Sequence, residues 1–479
     1  MGNRSAYINN IDSAKKEFKQ IIETYIKPLI DIKGNLHFIE EMYDNKRLIE
    51  IEEENDTKII RLFPLAKLEN CVSPFYFKAN LNTNATISTN IEEILRELLK
   101  VTEYNYSNFS KRRNYGKGQK RSEAYKNRTF NLAFEFGICK WLTNTEDDAV
   151  VLHTVINHMI TWSNRTYEGN RIPFGIVIDF KRDSNNYAAS YLSFLERDNC
   201  AVFTDGIFSG IRLDKKGKIV SFITKYSKEI DNTDSQKKIF VPYQFEDIAK
   251  YCTESSIGVI AMTGGEIIIV KQQAIQFVRR GGKWIAFDFE RVYHNLRPYF
   301  LCECSDEKTI LFKIRELYCT LLDVSFAHSG GCIAIITSSD EKNINNITKE
   351  RIDLYSLKKD GKTLNGVSEE NKEKIIILSY LLSNEEKSLC SFFEVDRVLR
   401  KEILGLDGAT VVSLNGEFYC AGSIVEVPMG STGGGRTAAA KRLAKFGIGI
   451  KISEDGYIEA YGANQANNDS RILRLFSFR

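Results

Sequence analysis

The sequence predicts a two-part chain, an N-terminal α+β region followed by a C-terminal α/β domain. Three observations carry this prediction. Apolar residues recur at helical spacing over residues 11–31 and 91–103. Between residues 200 and 288, short apolar runs alternate with the turns Lys215-Lys216-Gly217, Gly264-Gly265 and Gly281-Gly282, which is a strand pattern. From Gly405 onward, two apolar runs flank a glycine cluster and a helix-forming stretch, so that strand, helix and strand follow one another. The chain has 479 residues, 43% hydrophobic and 27% charged, enough for two to four domains with their own cores. Three segments are expected: 1–128, 129–304 and 305–479.

Taken in order, residues 11–31 read as an amphipathic helix and 91–103 as a second helix. Residues 35–79 hold short apolar stretches without a clear period, consistent with strands. Lys111 to Arg128 carries eight basic residues against one acid, Glu123, with Tyr115 and Tyr125 interleaved. It reads as a solvated loop, or as a surface for a nucleic acid or an acidic protein trigger. Residues 129–164 read as two helices, Ile176 to Phe180 as a strand, and 256–288 as a β-meander, since no helix follows either Gly-Gly pair. Residues 305–328 read as a helix, Gly330 to Ile336 as a strand, 338–372 as an exposed insertion, and 384–403 as a helix that delivers the chain to Asp407. No internal repeat stands out.

A net charge of +3 is too small to imply nucleic acid or membrane on its own. No apolar run approaches a membrane span, and a polar N-terminus argues against a signal peptide, so a cytoplasmic protein is expected. The ten cysteines are scattered without a C-x-x-C pair, a reduced rather than disulfide-bonded or zinc-binding pattern. The five histidines form no metal motif and are expected to be structural.

Candidate chemistry gathers between Gly405 and Tyr461. Asp407-Gly408-Ala409 opens the buried run Ala409 to Val412. The cluster Gly430 to Gly435 precedes Arg436 and a helical stretch, Thr437 to Phe446. Ile448 to Ile452 then ends in the turn Ser453-Glu454-Asp455-Gly456. Gly433, Gly434 and Gly435 permit positive φ and close approach of a ligand to the backbone. The helix start behind them offers free N–H groups and a positive dipole end, and Arg436 adds a cationic fork. Asp407 can supply a carboxylate to a metal or to a hydroxyl proton. The bland alternatives are a turn capping an ordinary helix, an Asp407 that closes a loop, and an Arg436 paired with a carboxylate.

Gly430 to Thr437 fits a P-loop except for Arg436 at the lysine position, but the chain ends too soon after it for the rest of a P-loop sheet. The order D-G-A, glycine/arginine loop with A-A, then strand with S-E-x-G, resembles the diadenylate cyclase domain. Asp407-Gly408-Ala409 match its D-G-A. Aligning on Ala438-Ala439 puts Gly435, Arg436 and Thr437 where the family has R-H-R. Ser453 and Glu454 match its later serine and glutamate, and Leu317 to Ile336 looks like its opening helix, turn and first strand. The resemblance spans roughly residues 305–462.

The resemblance implies a mixed sheet flanked by helices that condenses two ATP into cyclic di-AMP or a related cyclic nucleotide. In that scheme Asp407, Arg436 and Thr437 are catalytic, and Gly408, Ala409, Gly433, Gly434, Gly435, Ser453 and Glu454 bind the nucleotide. Asp407 and Glu454 hold Mg²⁺ or Mn²⁺. Because each site holds one ATP, a homodimer or higher oligomer is needed. Residues 129–300 resemble sensor domains fused ahead of such cyclases, which implies regulation from the N-terminal side in bacterial signalling or antiviral defence. The altered R-H-R stretch leaves open a degenerate domain that binds a nucleotide without turning it over.

Overall fold

A computed structural model of the chain describes residues 16, 18–29, 32–39, 49–54, 57–62, 76–81, 91, 93–98, 100–101, 123–163, 166–167, 170–171, 173–183, 204–224, 239–337, 348–349, 390–427, 434–464 and 469–479. The fold is mixed α/β. It divides into two compact units, Met1–Asp231 with Lys250–Gln272 and Gln276–Ala286, and Asn232–Ala249 with Gln273–Ile275 and Phe287–Arg479. Residue 305, the expected start of the last domain, falls inside the second unit.

In the first unit, strands β1 (Ile32–Ile39), β2 (Ile49–Glu54), β3 (Thr57–Leu62) and β4 (Tyr76–Leu81) form a sheet in the order β1-β4-β3-β2. Helix α1 (Glu123–Leu142) starts earlier than residue 129, so the end of the basic stretch is helical and not loop. Residues 111–122 lie outside the described residues. Thr145 caps α2 (Glu146–Trp162) by accepting from the Asp148 amide, and three acids in the first turn suit the helix dipole. Ala149, Leu152, Ile156 and Met159 give α2 its buried stripe. After the two-residue strands β5 (Thr166–Tyr167) and β6 (Asn170–Arg171) comes a seven-stranded sheet. Its strands are β7 (Phe174–Asp179), β8 (Ser209–Asp214), β9 (Ile219–Thr224), β10 (Ser256–Ala261), β11 (Ile267–Lys271), β12 (Ala274–Arg280) and β13 (Lys283–Ala286), ordered β13-β12-β11-β10-β7-β8-β9. Every residue of β7 and β10 is buried, which is why both read as unbroken apolar runs.

The second unit contains α3 (Phe289–Phe300), α4 (Glu307–Ala327), β14 (Gly331–Ile336), β15 (Thr348–Lys349), α5 (Arg397–Leu404), β16 (Ala409–Ser413), β17 (Phe418–Val425), α6 (Gly435–Leu443), β18 (Gly447–Ile452), β19 (Ile458–Asn464) and β20 (Asp469–Phe478). Its sheet runs β15-β17-β16-β14-β18-β19-β20. β14 and β16 are parallel, and β18 is antiparallel to β14. Cys332, Ala334 and Ile336 of β14 share a core with Ala409, Val411, Ala440 and Leu443, so α6 covers that face. At Gly449 the helix lies directly on β18, where an added Cβ would sit 1.9 Å from the Ala440 carbonyl oxygen. α4 is buried on all sides from Leu317 to Phe326.

Four expectations change. Of the helix expected over 384–403, residues 384–389 lie outside the described ones, and the described helix begins at Arg397, where Asp396 caps it through the Val398 and Leu399 amides. Residues 390–396 instead turn, with the Phe392 amide donating to the Gly416 carbonyl at 2.8 Å. Within the stretch 338–372, Thr348–Lys349 pairs with β17 as an edge strand and not as loop; the remaining residues there lie outside the described ones. The helix α3 is unannounced, with Pro298 in its last turn. Finally, although no repeat is legible in the residues, six strands of each seven-stranded sheet share one order, β12-β11-β10-β7-β8-β9 and β20-β19-β18-β14-β16-β17.

Candidate functional site

The pairing of three neighbouring strands brings the predicted residues together. Gly331, the first residue of β14, pairs with Ile452, the last of β18, and Ile333 pairs with Thr410 near the start of β16. Three turns therefore meet at one end of the sheet: Asp407-Gly408 before β16, Ser329-Gly330 before β14, and Ser453-Glu454 after β18. Adjacent strands stand ~4.8 Å apart, so the two outer turns are ~10 Å apart with β14 between them. α6 starts at the same end. An added Cβ on Gly330, which has φ +66°, would lie 2.5 Å from the Arg436 Nη1.

All of the predicted residues but Gly433 have a definite place. Asp407 is exposed, and among the described residues nothing pairs with its carboxylate. Gly408 has φ +106°, and a Cβ there would lie 2.5 Å from the Gly422 carbonyl carbon and oxygen, so only glycine makes this turn. Ala409 is buried in the core, so its side chain faces away from any ligand. Gly433 lies outside the described residues. Gly434 is the N-cap of α6 with φ −63°, and Gly435 is not among the positive-φ glycines, so the expected left-handed backbone is not used at either. A Cβ on either would meet nothing within 4 Å. The protein's own packing does not demand glycine there.

Among α2 to α6, α6 alone has no side-chain cap. Thr145, Asp288, Asp306 and Asp396 cap the other four, whereas Gly434 offers no side chain and the first turn of α6 has no acid. That end of α6 is therefore electropositive. Arg436 reaches Glu454, Nη1 to Oε1 at 2.9 Å, with Glu454 largely exposed. The Glu454 carbonyl oxygen accepts from His328 Nδ1 at 2.9 Å. His328 ends α4 at φ 53°. Thr437 is buried, and its amide donates to the Gly434 carbonyl at 2.9 Å. The Ser453 hydroxyl accepts from the Tyr457 amide at 3.1 Å, so it closes the turn instead of presenting itself to a ligand.

Beside α6 lies a cavity of about 660 Å³ whose wall includes Gly434 and Thr437 as well as Lys441, Lys451, Arg474 and Arg479. Among the described residues, Glu459 is the single acid on this wall. It holds Lys451 at 3.0 Å and Arg479 at 3.1 Å, with Arg474 at 4.0 Å. Burial by itself would raise the Glu459 carboxyl, but Lys451, Arg479 and the Tyr461 hydroxyl together hold it below its ordinary value. Burial, reinforced by Glu459, pushes the Tyr461 phenol up to about 12. Lys441 sits over the Tyr461 ring at 5.3 Å. Four cations against one carboxylate leave the cavity positive. Cys332, under α6, is pushed up to about 12 by burial despite Arg436 nearby, which removes it as a nucleophile.

Among the described residues, no group of three or more His, Cys, Asp and Glu gathers into a metal cluster. Asp407 and Glu454 supply two hard oxygen donors of the kind Mg²⁺ takes, on turns ~10 Å apart, with Glu454 engaged by Arg436. Sequence reasoning missed Gly330, His328 and the cations on β18 and β20. The run His328-Ser329-Gly330-Gly331 was the available signal for the first two; the basic residues carried none, since only sheet pairing gathers them. No protein-family model matches the chain, and no curated protein matches it. No described helix is long and apolar enough to cross a membrane.

Proposed function

We propose that the second unit is a nucleotide-binding domain of the diadenylate cyclase type, joining two ATP into cyclic di-AMP or a related cyclic nucleotide. The observation that carries this is the convergence of Asp407-Gly408, Gly330, Glu454 and the uncapped, arginine-bearing start of α6 at one sheet end. In the reaction, the 3′-hydroxyl oxygen of one ATP bonds to the α-phosphorus of another. The bond from that phosphorus to the bridging oxygen breaks, and pyrophosphate leaves with the electron pair. Asp407 orients the 3′-hydroxyl and accepts its proton. The N–H groups at Gly435 and Arg436 hold phosphate oxygens, and the positive cavity beside them takes the polyphosphate tail. Asp407 and Glu454 would hold Mg²⁺ or Mn²⁺, which supplies charge neutralisation for the transferring phosphoryl group. A helix start contributes at most ~2 kcal/mol of the ~8–23 kcal/mol that enzymes remove from a barrier, so these groups act together.

Each site holds one ATP, so the reaction runs in a homodimer or higher oligomer. The first unit is assigned a regulatory role in bacterial signalling or defence, with the basic stretch Lys111 to Arg128 as the surface for a nucleic acid or protein trigger. The Arg436–Glu454 pair also favours a second function, a domain that binds a nucleotide and passes on a signal without turnover, because the two charges satisfy each other. Asp407→Asn separates the two. Pyrophosphate release should fall by about 10²-fold or more while nucleotide binding persists; an unchanged rate of release would remove Asp407 from the chemistry.

A further inference from the structure

The central strand pairs of the two sheets agree in register. In the first unit, β7 pairs with β10 from Phe174↔Ala261 to Asp179↔Ser256. In the second, β14 pairs with β18 from Gly331↔Ile452 to Ile336↔Gly447, the same six positions. The parallel neighbours agree as well: Ile176↔Ile211 through Asp179↔Asp214 corresponds to Ile333↔Thr410 through Ile336↔Ser413.

The turns repeat too. The Asp214 amide donates to the Lys218 carbonyl and the Gly217 amide to the Asp214 carbonyl; Ser413, Glu417 and Gly416 do the same. The side chains of Asp214 and Ser413 each accept from the amides two and four residues on. After the next strand pair, Met262, Gly265 and Glu266 make the turn that Ser453, Gly456 and Tyr457 make, with φ +82° and +78° at the two glycines.

We infer that the first unit is a second copy of the fold of the second and that, among the described residues, the sheet end that is open in the second unit is closed in the first by the turn at Asp205. The closure lies at the corresponding sheet end. In register Gly210 corresponds to Ala409, and the Asp-Gly pair Asp205-Gly206 lies three residues farther from it than Asp407-Gly408 lies from Ala409. The Asp205 Oδ1 accepts from the amides of Ile207, Phe208 and Ser209 at 2.8–3.0 Å and from the Ser209 hydroxyl. Burial opposes its charge, but these bonds hold its carboxyl below the ordinary value. Gly206 folds over the start of β7: a Cβ there would lie 3.0 Å from the Phe174 carbonyl carbon and 3.1 Å from Ile260. The position of Glu454 is taken by Thr263.

The duplication rests on strand register and turn hydrogen bonds; what ligand the site of the second unit takes rests on the nucleotide proposal above. The full chain, Asp205→Ala and Asp407→Ala are compared for melting temperature without ligand and titrated with ATP and Mg²⁺ by calorimetry. Asp205→Ala should lower the melting temperature by roughly 4 °C or more and leave the stoichiometry at one ATP per chain. Asp407→Ala should shift melting by less than about 1 °C. Two ATP per chain, or an unchanged melting temperature for Asp205→Ala, would overturn the inference. If no ATP binds at all, the nucleotide proposal fails, and the contrast in melting temperature alone decides whether the first unit is closed by Asp205.

Discussion

At the scale of single residues, two glycines near the site behave oppositely. Gly408 is fixed by its own fold: its φ is +106° and a Cβ would run into the Gly422 carbonyl. Gly408→Ala should cost ~1–3 kcal/mol in backbone strain alone, seen in chemical denaturation of the full chain. Gly434 meets nothing within 4 Å and has ordinary φ. Gly434→Ala should therefore stay within about 0.5 kcal/mol of wild type while weakening nucleotide binding, because the added methyl enters the space in front of α6. Loss of stability with unchanged binding would assign Gly434 to the fold instead. Glu459 gives a pH dependence. Its carboxyl is buried, which raises it, yet Lys451 and its neighbours lower it overall from the ordinary 4.5. A lowered folded-state value stabilises the fold above that ordinary value, and the contribution disappears as pH falls through the lowered one. Melting temperatures between pH 7 and 3 should fall less steeply in Glu459→Gln than in wild type.

At the scale of elements, Arg397 at the start of α5 is the main tie in the second unit. Its Nε donates to Asp323 Oδ2 at 2.6 Å, Nη1 to Glu246 Oε1 at 2.8 Å and Nη2 to the Val241 carbonyl at 2.5 Å. Asp323 in turn accepts from the Tyr243 amide at 2.7 Å. Burial raises the Asp323 carboxyl and Arg397 opposes it. Arg397→Ala strands that buried carboxylate and should cost ~3–5 kcal/mol, measured by denaturation; a loss below ~1 kcal/mol would show that the network is not holding the elements. Many of these elements were legible beforehand. β7, β10, β14 and β18 are apolar runs too short for helices, and β8–β9 and β10–β11 are joined by glycine turns that declare themselves. The start of α5 is set by Asp396, whose carboxylate caps the helix in the middle of the stretch read as continuous. α3 was missed because Pro298 breaks its pattern from within.

At the scale of the molecule, the site was legible as a list and not as an arrangement. Asp407, Arg436 and Glu454 were named from their order in the chain, and the pairing of β16, β14 and β18 explains why they lie at one sheet end. Ser453 and Ala409 were named from the same order, but one closes a turn and the other fills the core. The positive cavity was invisible because Lys441, Lys451, Arg474 and Arg479 lie on three separate elements, and the duplicated sheet was invisible because its register is kept by residues that differ at most positions. The measurement that most directly tests the proposed chemistry is incubation of the full chain with ATP, and separately with the other nucleoside triphosphates, plus Mg²⁺ or Mn²⁺, with products read by mass spectrometry. A cyclic dinucleotide formed together with pyrophosphate, and lost in Asp407→Asn, is the expected result. Orthophosphate in place of pyrophosphate, or no nucleotide binding under any of these conditions, would contradict it.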